Sequence, residues 1–113
     1  MSLTGDRDAI AAALSGVPGV TGYPYRPSTP RAGDAWPLLG AIDRAEAMTF
    51  YVNWRILVFL PQSERGASDF IDARWEDLVD ALLPVGFVER IEPVALGPAG
   101  AEQFAAQILM RSE

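Results

Sequence analysis

The sequence predicts an α+β fold in the order αβββαββ, an antiparallel or mixed sheet with two helices packed on one face and a long projecting hairpin. Three observations carry this. Every second residue from Met48 to Leu60 is apolar without a break, which is the period of a strand with one buried face. Two segments, near residues 4–15 and 68–82, repeat apolar residues at spacings of three and four between capping residues and glycine or proline stops. Prolines and glycines divide the remainder into short runs of strand length.

The first helix is capped by Thr4 or Asp6, has Asp8 in its first turn, and turns Ile10, Ala13, Leu14 and Val17 to one side. Gly16 is expected to supply a left-handed stop near Ser15, and Pro18 prevents continuation. Val20 to Arg26 follows as an extended edge strand, since Pro24 and Pro27 cannot donate to a ladder on both sides. Arg26 to Trp36 offers almost nothing to bury and is expected to be an exposed loop, either a plain surface connection or a partner-binding arm. Leu38 to Ile42 is the next strand, and Asp43 to Ala47 turns the chain into Met48–Leu60.

In that long strand Met48, Phe50, Val52, Trp54, Ile56, Val58 and Leu60 share one face. Leu57 and Phe59 make the other face apolar as well, so that half requires cover from a helix or a neighbouring chain. Thirteen extended residues reach roughly 43 Å, more than a small sheet uses, which predicts a projection or a contact with another subunit. After the Gln62–Ala67 link, Ser68 caps a second helix with Phe70, Ile71, Trp75, Leu78, Val79 and Leu82 as its buried stripe. Val85–Glu92 and Gln103–Arg111 are the last strands, joined by a turn-rich link from Pro93 to Glu102.

Chemistry is narrowed by what the chain lacks. With no cysteine, histidine or lysine there is no thiolate or imidazole ligand, no disulfide, and no base to activate a serine. Asp69, Asp72, Glu76, Asp77 and Asp80 crowd the second helix, but no glycine-turned loop gathers them for a divalent ion, so they read as a solvated outer face. Gly16, Gly19 and Gly22 lead into a strand rather than a phosphate-binding helix. The net charge of −6, with nine arginines against fifteen acids, disfavours a phosphate backbone as partner, and Tyr23, Tyr25, Arg26 and Arg31 are too narrow a group for a stacking groove. Trp36, Trp54 and Trp75 read as core or interface. The acidic start of the chain is unlike a secretory leader and no run spans a bilayer, so an intracellular protein without a membrane segment is expected.

As strings, GVPGVTGYPYRPSTPRAGDAWPLLG, TFYVNWRILVFLP and LLPVGFVERIEPVAL resemble the tail terminator, or tail completion, proteins of long-tailed phages, particularly those of high-GC actinobacteria. The likeness runs over nearly the whole chain and is most specific from Val17 to Trp36. It implies one tail-terminator-like domain over residues 1–113, with no catalytic activity and neither cofactor nor metal. Six copies would form a ring on the head-proximal end of the tail tube, end its growth and present the surface that joins the head.

The implied partners are the protein itself as a homo-hexamer, the tail tube protein, and the connector or neck proteins, with DNA passing through the ring unbound. The implied location is the virion tail, and the host cytoplasm during assembly. A neck or head-completion ring, or a subunit of a tail-derived particle, is the alternative. Under this reading Tyr51, Leu57 and Phe59 are candidates for burial between subunits. Arg26, Arg31 and Asp34 are candidates for a partner-binding loop, and Asp43 and Glu46 for the lumen.

Overall fold

The computed structural model describes residues 2–46 and 49–112. Ala47 and Met48, where the turn was expected to end and the long strand to begin, lie outside the described residues. The elements are α1 (Leu3–Ser15), β1 (Thr21–Gly22), β2 (Asp34–Arg44), β3 (Phe50–Phe59), α2 (Glu64–Leu82), β4 (Phe87–Leu96) and β5 (Gln103–Ser112). The predicted αβββαββ order is therefore the observed one. The strands form one mixed sheet in the spatial order β1-β2-β3-β5-β4, with β1 parallel to β2 and every other pair antiparallel.

Several local expectations are corrected. The cap of α1 is Ser2, whose hydroxyl accepts from the Gly5 amide at 2.9 Å. Gly16 closes the helix in right-handed geometry (φ −76°, ψ −11°), so the left-handed stop was misplaced, and the positive φ comes at Gly19. β1 is only two residues long: Pro24 has no amide to continue the ladder, which ends with Tyr23 donating to Ala35 O at 2.8 Å. α2 is capped five residues before the expected Ser68, because Ser63 accepts from the Gly66 amide at 3.0 Å and Glu64 occupies the first turn. β2 and β4 each run further than expected, from Asp34 and to Leu96.

One face of the sheet carries the main core. Trp54, Ile56, Val58 and Leu60 pack with Ala106, Ile108 and Met110 under Ile10 and Leu14 of α1 and Leu78 and Leu82 of α2. Gly22 sets how closely α1 lies on β1, since a Cβ there would stand 2.1 Å from Ala11 O. Arg7 braces the same corner, donating to Pro24 O at 3.0 Å and Pro37 O at 2.9 Å, with its guanidinium 4.5 Å from the centre of the Tyr25 ring. The opposite face has no helix. Its basal end is closed by a second cluster of Trp36, Leu57 and Phe59, packed with Tyr23, Leu38, Val94 and Leu96.

Candidate functional site

Three surfaces are built on this frame. The first is the open face of the sheet beyond the Trp36 cluster, where a polar chain crosses three strands. Arg55 Nε donates to Gln107 Oε1 at 3.0 Å, Gln107 Nε2 donates to Glu92 Oε1 at 3.0 Å, and Arg90 lies 3.5 Å from the other Glu92 oxygen. Beside it is a shallow depression of about 560 Å³ bordered by Gly40, Ala41, Asn53, Arg55, Arg90 and Leu109. It lies between two bulges, because the β2–β3 register shifts between Leu39 and Ala41 and the β4–β5 register shifts between Val88 and Arg90.

The second surface is the distal half of the β2–β3 hairpin. Cross-strand partners share a face of a sheet. Leu39 pairs with Trp54, Ile42 with Val52 and Arg44 with Phe50, so all of these lie on the helix side. The extra residue at Gly40 is what brings Ile42 rather than Ala41 to that side. The cover ends within this half: Trp54 and Val52 on β3 are 1% and 5% exposed, whereas Leu39 and Ile42 on β2 and Phe50 at the tip are 41%, 52% and 51% exposed. Arg44 stands over the Phe50 ring at 4.8 Å and has no carboxylate within ion-pair distance among the described residues.

The third surface is a groove of about 390 Å³ at the opposite edge of the sheet, between α2 and β4, formed by Ile71, Trp75 and Val79 against Val88 and Ile91. Trp75 was expected in the buried stripe of its helix, yet it is 45% exposed, because β4 is the edge strand and no further strand extends the sheet beneath it.

The expected interface residues separate. Leu57 and Phe59 are corrected to core: they are closed over by Trp36, Tyr23, Leu38, Val94 and Leu96 of their own chain and have no surface left to offer a neighbour. Tyr51 is half-buried near the hairpin tip with the Arg111 guanidinium 5.2 Å from its ring. In the loop, Asp34 is also corrected, since it is buried and its carboxylate accepts the Arg31 amide at 2.9 Å, fastening the loop rather than presenting a charge. Gly33 fixes the same end by donating to Phe59 O at 2.7 Å. Arg31 is exposed, and Arg26 lies 5.9 Å from the Trp36 ring.

Asp43 and Glu46 are exposed at the hairpin tip; Asp43 accepts from the Asn53 amide, and Glu46 O accepts the Thr49 hydroxyl at 2.9 Å. Asp69, Asp72, Glu76, Asp77 and Asp80 of α2 are exposed, as is Glu64 in its first turn, and among the described residues no three acids converge as a metal site. Among the described residues no helix is long and apolar enough to cross a membrane.

Sequence reasoning missed the roles of Leu39, Ile42, Arg44 and Phe50 as a group, and the Gly40 bulge that unites them. An isolated glycine within a strand pattern was the available signal. No protein-family model matches the chain, and a search of curated proteins finds no match.

Proposed function

We propose that this protein is a tail terminator subunit, a structural protein without catalytic activity that assembles as a ring on the head-proximal end of a phage tail tube. There it stops polymerisation and provides the surface for head joining. The observation that carries this reading is the distal hairpin. A strand pair that continues the apolar face of the core and leaves Leu39, Ile42 and Phe50 exposed supports a contact with another subunit.

The string resemblance from Val17 to Trp36 supplies the class of assembly, and the acid excess suits a lumen that lets DNA slide. Arg26 and Arg31 remain the proposed contacts of the loop with acidic partners, and Asp43 and Glu46 the proposed lumen residues.

The test is deletion of the gene from the genome that carries it, followed by negative-stain electron microscopy with and without purified protein added back. The expected result is overlong headless tails that added protein converts to capped tails able to join heads. Tails of normal length that fail to join heads would replace this reading with the neck-protein one, and normal virions would overturn both.

A further inference from the structure

We propose that the distal β2–β3 hairpin of one copy docks, through Ile42, Phe50 and Arg44, into the groove between α2 and β4 of a second copy. This rests on the ring reading and names the surfaces that would make the ring. The hairpin and the groove stand at opposite edges of the sheet, three strand spacings or about 14 Å apart across β2, β3, β5 and β4. Both open on the helix side, as the pairings of Ile42 with Val52 and of Ile91 with Ile108 require. A projecting surface at one edge and a receiving surface at the other make a head-to-tail contact, and repeated head-to-tail contacts close into a ring when the rotation per step permits.

The two surfaces match in chemistry. The hairpin offers two half-exposed apolar side chains and, beside them, the Arg44 cation, with no acid on its helix side. The groove offers Ile71, Trp75 and Val79 as an apolar wall, with Glu89 and Arg90 on the β4 side, the Arg90 cation being met by Glu92 of its own strand at 3.5 Å. Asp72 and Glu76 are each one residue on from Ile71 and Trp75, which puts them on the solvent flank of the same wall, and both are exposed. A second hairpin is a poorer occupant of the strip, because its Asp43 lies on the opposite face of the sheet and only Glu46, in the turn, is left near Arg44.

The absence of cysteine allows a direct test on the full chain. Ile42→Cys and Val79→Cys are made singly and together, checked for native circular dichroism, and treated at high protein concentration with a short bis-maleimide. The double variant is expected to give a ladder of covalent oligomers. An equal mixture of the two single variants is expected to give dimer and nothing larger, and each single variant alone to give none. Adding Arg44→Glu to the double variant is expected to abolish the ladder, and adding Glu76→Arg as well to restore it.

Dimers from Ile42→Cys alone would show hairpin-to-hairpin pairing and overturn the proposal, as would a mixture that gives no product. The functional reading is judged separately by tail capping. Capping without cross-links removes this interface and keeps the ring reading, whereas cross-links without capping do the reverse.

Discussion

The two halves of the β2–β3 hairpin share one alternation of side chains and one pair of strands, yet they live in different surroundings. In the basal half, Ala35, Ile56 and Val58 are sealed beneath the helices while Trp36, Leu57 and Phe59 are sealed on the other side by Tyr23, Val94 and Leu96. In the distal half Trp54 and Val52 are still buried, but their β2 partners Leu39 and Ile42, and Phe50 beyond them, continue the row half-exposed. The difference teaches that strand pattern specifies which residues share a face, whereas cover is decided by elements far away in sequence. Ala105 illustrates this, since its small side chain lies between Phe59 and Val94 and lets β4 help close a cluster centred on β3.

The most severe way to break the comparison is to open the basal half. Trp36→Ala is expected to cost about 3–5 kcal/mol, a fall in melting temperature of about 4 °C for each kcal/mol, read by thermal unfolding in the far ultraviolet. A cost below about 1 kcal/mol would mean that the basal half is as open as the tip. Gly22→Ala comes next, at about 1–3 kcal/mol, because its Cβ meets the backbone of α1, which cannot rotate away as a side chain would; urea unfolding measures it.

Gln107→Leu tests the polar chain that borders the basal cluster. Losing both of its side-chain bonds is expected to cost about 1 kcal/mol in the same urea titration, and no loss would show that Arg55 and Glu92 are satisfied by solvent. The smallest effect sharpens the contrast most. Phe50→Ser is expected to change monomer stability by no more than about 0.5 kcal/mol, and a cost comparable to that of Trp36→Ala would place the tip in the core after all.

The parts of the fold that the sequence discloses are those governed by neighbours in the chain. The alternation through Phe50–Phe59 identifies β3 and its faces, and the spacing of Leu78 and Leu82 identifies the inner side of α2. The two-sided apolarity at Leu57 and Phe59 correctly signals that both faces are covered. It does not say by what: the cover comes from this chain's own Tyr23, Trp36 and Leu96, whose approach depends on the placement of the whole sheet.

Arg7 was equally hidden, because its acceptors are 17 and 30 residues away and nothing in the first helix marks it as a brace. Trp75 misled because a helical stripe records potential burial, and an edge strand leaves part of the stripe unroofed. Of the candidate surface, Asp43 and Glu46 stand at the hairpin tip, as the turn expected from Asp43 requires. The apolar strip itself was obscured by the one-residue shift at Gly40, which exchanges the faces of Ala41 and Ile42.

The three tryptophans give the protein an optical signature of its own. Trp36 and Trp54 are each 1% exposed, on opposite faces of the sheet, while Trp75 is 45% exposed at the rim of the groove. Unfolding moves the first two indoles into water and shifts their emission to the red. An event that covers only the groove moves the third in the opposite sense, to the blue, and leaves the other two unchanged. Loss of fold and occupation of the groove therefore displace the intrinsic fluorescence in opposite directions, and each can be followed in the native chain without a dye.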